Sequence, residues 1–179
     1  MKKSLTKAET KQYFKKVYEV FSRKYAVPFF AVFLALWVFS MHFTFAFNMS
    51  DSLPGTMYII SKKVTDLDEF EKGEYIAYRW IGDKNLYANG TVFLKRVGAK
   101  PGDTIQRKGR EFFNAGKSLG VAKQYSLTGD ALEVNQFSGV VPERFFWSQA
   151  DSPNSLDSRY ELSGLIGAGQ IIGKGHLVF

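Results

Sequence analysis

Hydrophobic positions follow three different patterns along this chain. Residues 27 to 47 read VPFFAVFLALWVFSMHFTFAF, twenty-one consecutive positions without Asp, Glu, Lys or Arg. At about 1.5 Å per helical residue this run matches the roughly 30 Å hydrocarbon core of a bilayer, and it predicts a transmembrane helix over 27–47. A cleaved signal peptide fits less well, because the run is long for one and no small-x-small site follows it. A buried helix of a soluble domain is disfavoured by the length of the uncharged run. Upstream, Tyr13, Val17 and Phe21 recur every fourth position with Phe14 and Val20 beside them. That spacing predicts a helix over 5–25 with an amphipathic face, which we read as a cytoplasmic extension of the membrane helix in preference to a separate interfacial helix.

Beyond residue 47 the apolar runs become short and are separated by turn signals. Met57–Ser61 is apolar and β-prone, Tyr75–Trp80 follows Lys72-Gly73-Glu74, and Thr91–Val97 follows Asn89-Gly90. Further strands are predicted at Thr104–Arg107, Phe145–Trp147 and Ile171–Ile172, with Lys117–Leu132 as a glycine-interrupted insertion. Punctuation by Gly, Asn and Asp at intervals of about 8 to 12 residues predicts a mainly β, barrel-like domain. The organisation expected is therefore a basic segment (1–26), a transmembrane helix (27–47) and one folded domain (48–179).

Charge orients this arrangement. Lys2, Lys3, Lys7, Lys11, Lys15, Lys16, Arg23 and Lys24 face only Glu9 and Glu19 in residues 1–25, a balance of 8 − 2 = +6 within a chain total of +7. The basic segment then marks the cytoplasmic side, and the domain lies across the membrane. Because the excess is a juxtamembrane cluster, the high isoelectric point does not point to nucleic acid. The chain has no cysteine, which excludes disulfides, thiolate catalysis and Cys-based zinc sites. Its two histidines are His42, inside the apolar run, and His176. A Ser-His-Asp triad would need His176, close to the last residue, where chains are often poorly ordered. No ligand cluster for a metal is visible and no cofactor is called for.

With histidine disfavoured, a serine hydrolase would need another base, and a neutral lysine is the leading candidate. Burial must depress its pKa, since an ammonium has no lone pair to accept a proton. Lys95 has suitable surroundings: strand alternation puts it on one face with Phe93 and Val97, and Arg96 on the other with Leu94. From spacing alone a surface lysine on an edge strand fits equally well or better. Ser52 stands five residues beyond the apolar run, at most about 17 Å of extended chain, within reach of a bond just emerging from the bilayer. Pro54 and Gly55 would make a bend that presents it, and the Ser52 N–H with the Ser50 hydroxyl could form an oxyanion hole. An ordinary post-membrane turn accounts for the same residues.

The order of several short boxes adds to this reading. Ser50-Asp51-Ser52-Leu53-Pro54-Gly55, then Lys72-Gly73-Glu74-Tyr75-Ile76, then Leu94-Lys95-Arg96-Val97-Gly98-Ala99-Lys100-Pro101-Gly102-Asp103, then Ser155-Leu156-Asp157-Ser158-Arg159 resembles the successive signatures of type I signal peptidases. The resemblance implies that Ser52 is the acylated nucleophile, Lys95 the general base, Ser50 part of the oxyanion hole and Ser155 the group that orients Lys95. Asp157 and Arg159 would form a structural ion pair beneath the site, and Pro101-Gly102-Asp103 the turn after the lysine strand. Proline two positions after the serine, and Trp147-Ser148-Gln149-Ala150-Asp151-Ser152 in place of Gly-Asp-Asn, depart from the housekeeping pattern. The Ser-x-Pro-Gly form and single anchor are similar to the conjugative-transfer (TraF-type) branch, which matures pilin precursors and in some systems joins the pilin ends.

The resulting expectation is a single-pass protein of a bacterial inner membrane, with its N-terminus cytoplasmic and a periplasmic serine endopeptidase domain. Its expected partners are the bilayer and a membrane-inserted precursor such as a propilin, bound extended beside a strand with small side chains in shallow pockets. A general signal peptidase is the rival within the enzyme class. A non-catalytic membrane-anchored pilus or secretion assembly protein is the rival outside it.

Overall fold

A computed structural model describes residues 6–62, 67–82 and 85–179, so Lys2 and Lys3 of the basic cluster lie outside the described residues. The chain divides into two compact units, Met1–His42 and Phe43–Phe179.

The first unit is helical. Helix α1 (Lys7–Phe21) starts at a capping box, in which the Glu9 carboxylate takes the Thr6 N–H at 2.8 Å and the Thr6 hydroxyl takes the Glu9 N–H at 3.4 Å. One π turn, Ser22–Ala26, leads into α2 (Val27–His42). Together they make a single helix, Lys7–His42, of 36 residues, long and apolar enough to cross a membrane. Its continuity agrees with an extension of the membrane helix toward the N-terminus.

The predicted helix over 27–47 needs one correction. It ends at His42, and Phe43–Phe47 is a strand, β1. An apolar run does not distinguish helix from strand. Here Phe-Thr-Phe-Ala-Phe alternates and pairs in full antiparallel register, from Phe43 opposite Ser61 to Phe47 opposite Met57 on β2 (Met57–Ser61).

The second unit is mainly β, as the pattern predicts. After β2 come β3 (Tyr75–Arg79), β4 (Val92–Ala99), β5 (Thr104–Lys108), β6 (Glu111–Asn114), β7 (Lys117–Val121), β8 (Gly139–Val140), β9 (Phe145–Gln149), β10 (Ile166–Gly167) and β11 (Ile171–Leu177). They form two sheets, ordered β1-β2-β11-β3-β4-β9-β10 and β7-β6-β5-β8. β3 is flanked on both edges, and Ile76, Ala77 and Tyr78 are all buried, so it reads as a continuous apolar run. One core packs Trp147, Phe112, Ile105, Val141 and Tyr160, and a second packs Phe70, Ile76, Val97 and Phe146. The Lys100–Asp103 turn is closed by the Asp103 N–H to the Lys100 carbonyl at 3.1 Å, which ends the excursion of β4 and starts β5.

Candidate active site

Ser52 lies in the loop that joins β1 to β2. The Asn48 N–H donates to the Thr56 carbonyl at 2.8 Å, which closes the neck of the loop. Inside that neck every carbonyl from Ser52 to Gly55 has a donor. The Asp151 N–H reaches the Ser52 carbonyl at 2.9 Å. Asn48 Nδ2 reaches those of Leu53 (2.8 Å) and Gly55 (3.1 Å), and the Tyr58 hydroxyl takes that of Pro54. Gly55 has φ +76°, and a Cβ there would stand 2.2 Å from Leu177 Cδ1, so the bend demands glycine.

With its carbonyls tied back, the turn leaves the Ser52 N–H without an acceptor among the described residues. Ser52 is 6% exposed, and its Oγ accepts from the Ser50 hydroxyl at 3.0 Å. Asn48 Oδ1 in turn accepts from the Ser50 N–H at 3.3 Å and stands equally far from the Ser50 hydroxyl, as the alternative acceptor for its one proton. Ser50 thus stands beside the Ser52 hydroxyl, the neighbourhood that an oxyanion donor would need.

Lys95 sits in β4 opposite Ile76 of β3, and it is 6% exposed. Its side chain shares a face with Phe93, whose ring centre is 5.7 Å from Nζ. Nζ donates to Ser155 Oγ at 2.8 Å. Burial lowers the Lys95 pKa to about 8, the Asp157 charge opposing that shift and the Arg159 charge adding to it. A surface lysine is therefore ruled out. Lys95, Ser52, Ser50 and Ser155 line one cleft of about 820 Å³. No hydrogen bond joins Ser52 Oγ to Lys95 Nζ; each hydroxyl or amine is held by its serine neighbour. His176, on β11 opposite Ile59, is exposed and does not line the cleft, so the triad alternative is not assembled.

Asp157 and Arg159 form a buried ion pair at 2.8 Å, with exposures of 0% and 3%. The carboxylate also accepts from the Ala150 N–H (2.7 Å) and the Arg159 N–H (3.1 Å). Arg159 Nη2 reaches the carbonyls of Ser152 and Ser155, both at 3.3 Å. The pair therefore braces the segment that carries Ser155, a supporting position in which neither group touches Ser52.

The segment that replaces Gly-Asp-Asn has its own arrangement. Arg96 Nε and Nη2 grip the two Asp151 carboxylate oxygens at 2.7 and 2.9 Å, and Nη1 reaches the Gly73 carbonyl at 2.9 Å. The guanidinium also lies 4.6 Å from the Tyr75 ring centre. Since the Asp151 N–H holds the Ser52 carbonyl, this fork links the lysine strand to the serine loop. The parts that Asn48, Tyr58, Arg96 and Asp151 take in the site are not among those expected from the sequence. A signal existed only for Asn48, an Asx side chain four positions before the serine, suited to bonding nearby backbone.

On one edge β4 pairs with β3 from Val92 to Arg96, but on the other β9 meets it only from Arg96 onward. Val92–Leu94 therefore lines the cleft with an edge to which no described strand is paired.

Comparison with known proteins gives one family. The family model described as signal peptidase, peptidase S26, matches residues 19–179. Signal peptidase I of Bacillus amyloliquefaciens is 29% identical over 139 residues, and signal peptidase I T of Bacillus subtilis (strain 168) is 30% identical over the same length. Each alignment covers 70% of this chain and 65% of the relative, so the chain spans just under two thirds of the length of these curated relatives. A crystal structure of a signal peptidase I from Enterococcus faecalis V583 aligns at 24% identity and a TM-score of 0.39, covering 61% of this chain and 98% of that one.

Proposed function

The chain belongs to the S26 signal peptidase family, and on that premise we propose that it is a membrane-anchored serine endopeptidase with Ser52 as nucleophile and Lys95 as general base. The observation that carries this reading is a desolvated lysine amine with a pKa of about 8, oriented by Ser155 and sharing a cleft with a buried serine. Neutral Lys95 takes the Ser52 hydroxyl proton as Oγ attacks the scissile carbonyl. The Ser52 N–H and the Ser50 hydroxyl receive the oxyanion. Lys95 then returns the proton to the departing amine, leaving an acyl group on Ser52. Ser52 Oγ accepts from Ser50 and keeps its own proton to give, so that proton has only to turn to Lys95, a contact of the kind that commonly tightens with substrate bound.

The substrate is a membrane-inserted precursor, extended along Val92–Leu94, where main-chain pairing supplies affinity and small side chains enter the cleft. The helix Lys7–His42 is the anchor, with the basic N-terminal segment cytoplasmic and the β unit periplasmic. Two substrate ranges are open to such an enzyme. The Ser-x-Pro-Gly box favours the conjugative (TraF-type) branch and pilin maturation, either by hydrolysis or by attack of the pilin's own amine. Similarity to the two Bacillus proteins favours general signal-peptide removal with equal weight.

Mass spectrometry of a candidate pilin and of a panel of exported precursors, with and without this protein, separates these readings. Processing of the pilin alone supports the first, and processing of the panel the second. A pilin lighter than its linear fragment by one water indicates cyclisation. If neither is cleaved, the non-catalytic assembly role replaces both.

A further inference from the structure

The loop that carries Ser52 is short, and Ser-Asp-Ser-Leu-Pro-Gly has no internal hydrophobic anchor except Leu53. Something must fix its backbone, because a displacement of about 1 Å at a nucleophile can cost some 10²-fold in rate. One side chain holds two of the four tied carbonyls and the Ser50 N–H as well. Asn48 donates through Nδ2 to the carbonyls of Leu53 and Gly55, and accepts through Oδ1 from the Ser50 N–H, while the Ser50 hydroxyl gives its one proton to Ser52 Oγ. Its own N–H closes the loop neck on Thr56. A carboxamide puts two N–H donors and an acceptor on one short side chain, and these contacts use all three. Aspartate lacks the donors, and alanine lacks both.

We propose that Asn48 is a positioning residue for acylation at Ser52: it ties the turn's carbonyls inward, so that the Ser52 N–H and the Ser50 hydroxyl are held toward the cleft. It touches neither the hydroxyl of Ser52 nor Lys95. It acts on the donor side of the site, through Ser50 and the backbone, whereas Ser155 and the Asp157–Arg159 pair act on the base side. This deepens, and rests on, the Ser52/Lys95 reading above.

The test uses the full-length protein in lipid nanodiscs and an alanine-rich peptide p-nitrophenyl ester. In the step followed, the Ser52 Oγ–acyl bond forms, the ester C–O bond breaks, p-nitrophenolate leaves and Lys95 takes the proton. Burst amplitude and intact mass report acylation per folded molecule, and peptide mapping locates it. Asn48→Ala and Asn48→Asp should each slow acylation by about 100-fold, the lower end of the range for losing one oxyanion donor. The pH midpoint of the rate should stay at its wild-type value, because Lys95 and its surroundings are unchanged. In a Ser50→Ala background the further loss from Asn48→Ala should shrink, since the two act through shared contacts.

Rates within threefold of wild type for both Asn48 variants would overturn the proposal. So would a shifted pH midpoint, which would place the effect on the base. Failure of the underlying reading looks different: the wild type would acylate elsewhere than Ser52, or Lys95→Ala would acylate as fast as wild type.

Discussion

Replacing Lys95 by methionine should separate stability from chemistry in a way that depends on pH. The amine is 6% exposed and its pKa falls from 10.5 to about 8. That depression corresponds to about 3 kcal/mol of penalty for holding the charged form in the fold, at about 1.36 kcal/mol per unit. The sign follows from proton counting. Between pH 8 and 10.5 the unfolded chain still carries the Lys95 proton and the folded chain does not, so wild-type stability rises with pH across that window. Methionine has a similar shape and no charge, so its contribution is flat. Against it stands the loss of the partner of Ser155 Oγ, worth roughly 1 to 3 kcal/mol. Near pH 7 the two terms nearly offset, and Lys95→Met should lie within about 2 kcal/mol of wild type. By pH 10.5 wild type should have gained on the mutant by about 3 kcal/mol. Urea unfolding of both proteins in the same detergent, at several pH values, measures the difference, in which all other titrations cancel. A gap that stays constant from pH 7 to 10.5 would refute a desolvated Lys95.

The acylation rate itself should follow the neutral fraction of Lys95, rising about tenfold from pH 7 to pH 9 and levelling above a midpoint near 8; an ordinary lysine would give a steeper rise with no plateau there. Asp157→Ala should destabilise the β unit by about 3 to 5 kcal/mol, because it strands the buried Arg159 charge, and a loss under about 1 kcal/mol in urea unfolding would contradict the bracing role. The Arg96–Asp151 pair is partly exposed, so Arg96→Ala and Asp151→Ala should change stability by under about 1 kcal/mol. Each should nonetheless slow acylation about tenfold, with a double mutant no slower than the worse single one, and strictly additive losses would argue against a shared fork. Protease added to spheroplasts should digest residues beyond 47 and spare the basic segment, and protection of the β unit would reverse the proposed topology.

What the sequence made legible follows from how local each signal is. Met57–Ser61 and the face of Lys95 were readable because period-two alternation survives wherever one strand face is buried. β1 was hidden because Phe43–Phe47 continues the apolar run without a break, and only its partner, β2, decides the conformation. The last strand runs to Leu177, well beyond the predicted Ile171–Ile172, because Gly173-Lys174-Gly175-His176 has no apolar signature. Its glycine answers a steric demand from another strand: a Cβ at Gly173 would stand 1.9 Å from the Ser61 carbonyl oxygen. The Arg96–Asp151 fork joins residues 55 apart, and no spacing rule could have paired them.

Under the proposed mechanism Ser52 becomes acylated only because Lys95 removes its proton. The measurement closest to it is single-turnover reaction of the purified protein with a cleavable precursor, acid quench, and peptide mapping of the acyl adduct by mass spectrometry, for wild type, Ser52→Ala, Lys95→Ala and Lys95→Arg. An adduct is expected on the Ser52 peptide in wild type and none in the three variants, arginine failing because a guanidinium stays protonated. An adduct on another residue, or one formed as quickly in Lys95→Ala as in wild type, would contradict it.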